Sequence, residues 1–358
     1  MPLVAAVGRA LPPHRYEQDE LTAAFAASWG KEHQNTDRVA QLHRAVQVGG
    51  RNLALPMADY LAFRHFGDSN DAWIRVATDV GEAALREALD LAGLVPQDLD
   101  ALFFTTVTGV AAPTIDARLH NRLGLRTDLK RTPMFGLGCV AGVAGINRAA
   151  DYLRAYPEQI AALLSVELCS LTLQKEDLSI ANLIASGLFG DGAAAVILVG
   201  AERARRLGLT GPRIVAGQSR FYPNTERVMG WDIGARGFKI VLSASVPDVV
   251  RTFMPDDVDG FLASQDLGRA DIDTWVCHPG GPKVLEAMSE CLGLPEGALD
   301  LTWTSLRDVG NLSSSSVLFV LRDTMDQGLL SAGQTGLMLA MGPGFCSELT
   351  LLQGSAAK

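Results

Sequence analysis

The chain has 358 residues, of which 48% are hydrophobic and 20% charged, a composition typical of one large or two ordinary globular domains. Its formal net charge of −9 argues against nucleic acid or an anionic membrane surface as the main partner. No apolar run approaches the roughly 18 uncharged residues of a membrane span, and the N-terminal pattern predicts no signal peptide.

The five cysteines are scattered along the chain and include no Cys-x-x-Cys pair. An odd number of cysteines without such a pair argues against a disulfide framework or a structural zinc site. It fits a reducing compartment. We therefore expect a cytoplasmic protein without a bound metal.

A first strand–helix–strand unit is predicted between residues 97 and 168. In "QDLDALFFTT" an Asp-x-Asp pair precedes an apolar run of the kind that forms a buried strand. The stretch "GCVAGVAGINRAADYLRAY" begins with small residues and continues as a helix, and "IAALLSVEL" follows as a second apolar strand. This order is typical of α/β folds.

The same order returns in the C-terminal part of the chain. The stretches "ADIDTWVCHP", "GNLSSSSVLFVLRDTMDQG" and "TGLMLAMG" follow each other as strand, helix and strand. The Asp-x-Asp pairs and the glycine-led helix starts recur at offsets of 173 and 172 residues. The repeat predicts a duplicated α/β fold whose halves, residues 1–211 and 212–358, are related by a pseudo-twofold axis.

Cys139 is the first candidate for chemistry, because the repeat places it at the start of a helix between the halves. Unpaired amides at a helix N-terminus carry about half a positive charge, which favours a thiolate over a thiol. The glycines at positions 138, 142 and 145 let backbone and ligand approach closely. A cysteine taken alone is more often a small core side chain, but these neighbours favour catalysis.

His278 and Asn311 are the candidates to act with Cys139. His278 follows the apolar strand "TWVC", so it lies at the carboxyl edge of a sheet, where α/β proteins bind ligands. A neutral imidazole there is able to take the thiol proton. Asn311 is the repeat counterpart of Cys139 and should face the same cavity. The simpler interpretations are a turn histidine and a helix-capping asparagine.

Five motifs in order give the chain a specific resemblance that extends from about residue 21 to residue 352. They are "GLGCVAG", "GLFGDGAAAVILVG", "CHPGGPKVLE", "GNLSSSSVLFVL" and "MGPGFCSE". Together they resemble the type III polyketide synthases, the chalcone-synthase-like family of the thiolase superfamily. The stretches "VTGVAAPTIDARL", "SVELCSLT" and "MGWDIG" are most similar in style to bacterial alkylpyrone and alkylresorcinol synthases.

The resemblance implies a duplicated, five-layered αβαβα thiolase fold, a homodimer, and CoA thioesters as substrates without a cofactor. It implies that Cys139 holds the acyl starter as a thioester. His278 and Asn311 would donate hydrogen bonds to the malonyl thioester carbonyl and stabilise the enolate left by loss of CO₂. Phe189 would be an apolar gate between the CoA tunnel and the reaction cavity, although a core aromatic explains it equally well.

The resemblance also implies a pocket that departs from the plant enzymes at most of its positions. Side chains smaller than those of the plant enzymes at positions 112 and 240 would open a path for an aliphatic starter, whereas the bulk of Trp231 would shorten it. The implied pocket residues are Thr172, Cys169, Ala112, Trp231, Ile240 and Ser313.

The residues that hold the CoA phosphates match the family poorly. Arg44 fits one position, Arg51 is a candidate substitute, and Gly280 lies in the glycine motif after His278. The two arginines lie in a stretch that reads as helical and are better explained as a solvated helix face.

These observations predict a type III polyketide synthase that extends an acyl-CoA with malonyl-CoA and releases an alkylpyrone or alkylresorcinol. A ketoacyl synthase of the initiating type also uses Cys, His and Asn, but it stops after one condensation. A degradative thiolase would need a second cysteine where this chain has Met341. A non-catalytic partner subunit is a remote alternative, since it should have lost one of the three residues.

Overall fold

The computed structural model describes residues 1–29 and 36–355, a part of the chain that contains thirteen strands and eleven α-helices. The strands are β1 (Leu3–Ala10), β2 (His14–Glu17), β3 (Gly50–Leu53), β4 (Ala101–Thr106), β5 (Lys130–Phe135), β6 (Ile160–Leu168), β7 (Asp191–Val199), β8 (Arg213–Phe221), β9 (Met229–Gly234), β10 (Gly237–Leu242), β11 (Thr274–Cys277), β12 (Thr335–Gly342) and β13 (Cys346–Gln353). The helices are α1 (Gln18–Trp29), α2 (Thr36–Ala45), α3 (Phe66–Ala92), α4 (Ile115–Leu123), α5 (Ala141–Ala155), α6 (Ile180–Leu188), α7 (Ala201–Leu207), α8 (Val246–Ala263), α9 (Pro282–Leu292), α10 (Asp300–Val309) and α11 (Ser316–Asp326).

Nine strands form one sheet in the order β11–β12–β13–β8–β1–β7–β6–β4–β5. The two halves of this sheet join where Leu3 of β1 pairs with Arg213 of β8. On one side β7, β6 and β4 follow β1, and on the other side β13, β12 and β11 follow β8 in the corresponding order. The strand order therefore repeats on both sides of the junction, as a duplicated fold requires.

Helices cover both faces of the two half-sheets. Between them lie α5 and α11, which pack against each other and against strands of both halves. A single buried cluster joins these helices to inward-facing residues such as Leu163 and Met338. On the outer faces, α3 packs on the N-terminal half, and α8 and α9 pack on the C-terminal half. The resulting αβαβα layers confirm the expected fold class.

Coverage on both faces explains the continuous apolar runs in the sequence. Every residue of β6 and of β7 is buried, because each of these strands is flanked by strands and lies between helix layers. No helix in the described ranges has the length and apolarity needed to cross a membrane.

Glycines allow α5 to approach the start of α11 closely. A Cβ atom added at Gly142 would lie 2.4 Å from the carbonyl O of Ser314 and 2.7 Å from the side chain of Val317. A Cβ atom added at Gly145 would lie 2.5 Å from Leu163. Contacts this short force atoms to move; at Gly142 the nearest atom belongs to the backbone, so that position requires glycine, whereas at Gly145 the Leu163 side chain would have to shift. The contact brings the beginnings of the two central helices together.

We expect Gly142→Ala to lower the free energy of unfolding by about 1–3 kcal/mol, because the added methyl group must displace backbone at the α5–α11 contact. Gly260→Ala in α8 is the matched control, since no atom lies within 4 Å of the Cβ position there. That substitution should stabilise the protein by about 0.5–1 kcal/mol, because alanine is the better helix former. Chemical denaturation measures both values, and equal effects would contradict the close contact.

Candidate active site

The structure brings Cys139, His278 and Asn311 to one small cavity of about 30 Å³, called the catalytic cavity below. Each side chain comes from a different segment and is at least nine-tenths buried. Cys139 lies in a 3₁₀ turn just before α5, His278 follows β11, and Asn311 lies between α10 and α11. The repeat placed Cys139 and Asn311 at equivalent points, and the structure places both in this cavity.

The turn that carries Cys139 packs against the C-terminal glycine motif. Gly138 has a φ of +56°, and a Cβ atom added there would lie 2.7 Å from Pro343. A Cβ atom at Gly342 would likewise lie 2.9 Å from the backbone N of Val140. Glycine at both positions therefore lets the turn sit directly on the end of β12, and this contact positions the thiol.

Burial dominates the protonation of the catalytic cavity. It raises the pKa of the Cys139 thiol to about 12, although a contact of 3.8 Å between Sγ and the Ser313 hydroxyl lowers it in part. Burial also lowers the pKa of His278 to about 3. Helix amides favour the thiolate, as expected from the sequence, but loss of hydration is the largest influence on the pKa of the isolated thiol.

The His278 ring has no hydrogen-bond partner among the described residues, although both of its nitrogens are buried. Its backbone N donates to the carbonyl O of Leu339 at 2.9 Å, which continues the β11–β12 pairing and holds the residue in place. Leaving a buried polar group unpaired costs about 1–3 kcal/mol. The backbone of His278 is thus held by the strand pairing, while both ring nitrogens are left without a protein partner in the described ranges.

Asn311 is held so that its amide NH₂ remains available. Its side-chain Oδ1 accepts a hydrogen bond of 2.8 Å from the backbone N of Ser313, a residue with a left-handed φ of +49°. Its Nδ2 makes one long contact, 3.4 Å, with the carbonyl O of Gly280. Because Oδ1 is occupied, the group that Asn311 presents to a ligand is a hydrogen-bond donor, as stabilisation of an oxyanion requires.

Phe189 separates the catalytic cavity from a second one of about 530 Å³, called the large cavity below, and lines both. Its backbone follows α6 and forms a parallel bridge with Asn311. The backbone N of Asn311 donates to Leu188 at 2.9 Å, and that of Gly190 donates to Asn311 at 3.0 Å. The role of Phe189 as a gate between the CoA tunnel and the reaction cavity remains a prediction.

Four of the predicted pocket residues line the large cavity. Trp231 and Ile240 face each other across the β9–β10 hairpin, and Cys169 and Thr172 come from the segment after β6. Ala112 is exposed and lines neither cavity. The homodimer that would bring Ala112 to a partner's cavity remains a prediction.

The three predicted CoA-binding residues lie in different surroundings. Arg44 is exposed at the end of α2, and Gly280 lines the catalytic cavity. Arg51 lies in β3 and is only 2% exposed. A solvated helix face is therefore the wrong interpretation of Arg51, because α2 ends at Ala45 and the chain has entered a buried strand. The phosphate-binding roles remain predictions.

Sequence reasoning missed Glu167, a buried carboxylate at the end of β6. It accepts hydrogen bonds from the Ser314 hydroxyl, from the backbone N of Val107 at 3.0 Å and from the Thr108 hydroxyl at 3.0 Å. Burial raises its pKa, and its charge in turn raises the pKa of Cys139. A glutamate within the apolar run "IAALLSVEL" was the signal that pointed to this group.

Comparisons with known proteins agree over nearly the whole chain. The family model described as "Chalcone and stilbene synthases, N-terminal domain" matches residues 2–203, and the corresponding C-terminal domain model matches residues 213–356. A 1,3,6,8-tetrahydroxynaphthalene synthase from Streptomyces peucetius subsp. caesius is 52% identical, over 98% of this chain and 92% of its own. A putative chalcone synthase from Bacillus subtilis is 35% identical, over 98% of each. A solved tetrahydroxynaphthalene synthase from Streptomyces coelicolor, a bacterial type III polyketide synthase, has a TM-score of 0.92 and 31% identity, over 99% of this chain and 100% of its own.

Replacing His278 with glutamine should slow alkylation of Cys139 by iodoacetamide at neutral pH by about tenfold or more. Without its proton acceptor, the thiol keeps the pKa of about 12 that burial produces, so little thiolate forms below that pH. Alkylation of the variant should keep rising into the alkaline range, whereas that of the native protein should level off at lower pH. Mass spectrometry of the Cys139 peptide measures both profiles.

His14→Gln in β2 is the control for loss of a histidine outside the catalytic cavity and should leave the profile unchanged. Superimposable profiles for the native protein and His278→Gln would show that the imidazole does not take the thiol proton.

Proposed function

This chain belongs to the chalcone and stilbene synthase family, the type III polyketide synthases, and we propose that it converts malonyl-CoA into a polyhydroxylated aromatic product of the tetrahydroxynaphthalene kind. Enzymes of this family are condensing acyltransferases. Membership argues against both the single-condensation ketoacyl synthase and the non-catalytic partner subunit.

In the proposed loading step, Cys139 becomes the nucleophile. His278 takes the thiol proton, the thiolate attacks the carbonyl carbon of the starter thioester, and the bond from that carbon to the CoA sulfur breaks. The imidazolium returns its proton to the leaving CoA thiolate. A thioester on Cys139 and a neutral His278 result.

In the proposed extension step, the bond between the malonyl methylene carbon and its carboxylate breaks, CO₂ leaves, and the electron pair forms an enolate. The Asn311 amide and the His278 ring donate hydrogen bonds to the enolate oxygen, and removing one such donor typically costs about 10²–10³ in rate. The enolate carbon then attacks the thioester on Cys139, the thiolate leaves, and the chain is longer by two carbons. Decarboxylation supplies the carbanion, so this step needs no strong base.

The position of Phe189 between the two cavities is the observation that best supports repeated extension of the chain. A grown chain cannot remain in about 30 Å³, whereas about 530 Å³ lies within the usual range of small-molecule sites. A chain that starts on Cys139 and passes Phe189 enters that space.

The choice of malonyl-CoA as starter is supported by the 1,3,6,8-tetrahydroxynaphthalene synthase from Streptomyces peucetius. Such a product carries oxygen on alternate carbons, as a chain made only of two-carbon malonyl units would. The bulk of Trp231 over the large cavity also suits a short starter rather than a long one.

A second candidate function is release of an alkylpyrone or alkylresorcinol from an aliphatic starter. The apolar wall of the large cavity favours it, since residues such as Leu21, Leu53 and Leu61 line the space. Each methylene buried there would contribute about 0.8 kcal/mol to binding.

The two candidates differ in what the enzyme makes from malonyl-CoA alone. We expect ¹³C-labelled malonyl-CoA without another starter to give a naphthol labelled at every carbon, detected by liquid chromatography and mass spectrometry. Added octanoyl-CoA should compete poorly. Cys139→Ala is the control and should give no product. Absence of product from malonyl-CoA alone, together with an alkylpyrone from octanoyl-CoA, would refute the first candidate and support the second.

Ile240→Trp should shorten the products, because a second indole opposite Trp231 fills part of the large cavity and forces earlier release. We expect the ratio of shorter pyrones to the full-length product to rise about tenfold or more. Ile233→Trp is the matched control on the same hairpin, since Ile233 is 59% exposed and lines neither cavity. An unchanged product distribution in Ile240→Trp would contradict the assignment of the large cavity to the growing chain.

A further inference from the structure

Arg51 is a buried cation with few hydrogen bonds. Its Nη1 donates to the carbonyl O of Phe189 at 2.6 Å, while its Nε and Nη2 have no hydrogen-bond partner within the described ranges. Burial lowers the pKa of Arg51 to about 10, so the guanidinium is still charged at neutral pH. Burying a charged group with so few hydrogen bonds is costly. Because buried polar groups are normally hydrogen-bonded, the two unpaired nitrogens of Arg51 require an explanation.

The stem of the same side chain packs against the residue before Asn311. A Cβ atom added at Gly310 would lie 3.2 Å from Cδ of Arg51, and Gly310 has a left-handed φ of +75°. Arg51 therefore contacts two segments: its head holds the Phe189 carbonyl, and its stem abuts the turn at Gly310. These segments are the ones joined by the backbone bridge between Phe189 and Asn311.

A carboxylate further along the Phe189 segment is already occupied. Asp191 is fully buried and accepts hydrogen bonds from the backbone N of Ala54 at 2.6 Å, from the backbone N of Ser170 at 2.8 Å and from the Ser170 hydroxyl. Its charge favours the charged form of Arg51, but none of its hydrogen bonds in the described part of the chain comes from the guanidinium. Its contacts with Phe189 and Gly310 link Arg51 to the gate segment and to the turn before Asn311.

We propose that Arg51 is a positioning residue that fixes the gate Phe189 and the Gly310–Asn311 turn relative to each other, and thereby aims the Asn311 amide at the enolate. The inference rests on the proposed function. In the proposed mechanism, loading of the starter uses Cys139 and His278, whereas decarboxylation uses His278 and Asn311. Arg51 should therefore affect the second step more than the first.

The test compares two rates in Arg51→Met, Arg51→Lys and the native protein. Intact-protein mass spectrometry gives the rate of acylation of Cys139 by a starter acyl-CoA, and release of ¹⁴CO₂ from labelled malonyl-CoA gives the rate of decarboxylation. We expect the ratio of decarboxylation to acylation to fall about tenfold or more in Arg51→Met. Arg51→Lys, which keeps the charge and part of the stem, should restore part of that ratio.

Arg15→Met is the matched control. Arg15 is exposed, and its Nη1 donates to the carbonyl O of Asp308 at 2.7 Å. Like Arg51, it therefore makes a hydrogen bond from a guanidinium to a backbone carbonyl, and that carbonyl lies close to the Gly310–Asn311 turn. The control should leave the ratio unchanged. Thermal unfolding identifies a temperature at which every variant is folded, and both rates are measured there. If Arg51→Met does not fold, the ratio of the two rates in Arg51→Lys is compared with that of the native protein.

The outcomes separate the inference from the function on which it rests. Equal loss of both rates in the Arg51 variants would mean that Arg51 only stabilises the fold, and would overturn the inference. An unchanged ratio would overturn it as well. A native protein that is acylated but releases no CO₂ from malonyl-CoA would overturn the proposed function, and this inference with it.

Discussion

The close approach of α5 and the start of α11 is the constraint on which the rest of the structure depends. Gly142 allows the backbone of α5 to meet Ser314, which lies in the turn just before α11, and this contact lies at the point where both helices begin. Cys139 and Asn311 precede those helices, so they share a cavity only if the two helix starts meet. Larger side chains at the contact would separate the nucleophile from the amide.

Burial at this meeting point determines the chemistry. Removing water raises the pKa of Cys139 and lowers that of His278, so neither group is charged by itself. The same low polarity strengthens the attraction between thiolate and imidazolium once both form, and it strengthens hydrogen bonds to an enolate. A site that disfavours isolated charges therefore suits a reaction in which charges appear in pairs or next to aligned donors.

The segment after α6 lies between two spaces of very different size. On one side is a cavity only large enough for the reacting atoms, and on the other is a larger, mainly apolar space. The backbone of Phe189 is tied to Asn311 and to Arg51, so the wall between the spaces and the catalytic amide belong to one connected unit.

The order of strands and helices, the duplication and the identities of Cys139, His278 and Asn311 were all readable in the sequence, because apolar periodicity and glycine placement are local properties. Tertiary structure alone decided that burial outweighs the helix field at Cys139, that Arg51 lies inside rather than on a solvated helix, and that Ala112 lies outside both cavities. Desolvation and cavity shape depend on segments that are far apart in the sequence. A local sequence pattern therefore does not reveal either of them. Glu167 shows the limit: its place in an apolar strand was visible, but its partners come from two distant segments, one with Val107 and Thr108 and the other with Ser314.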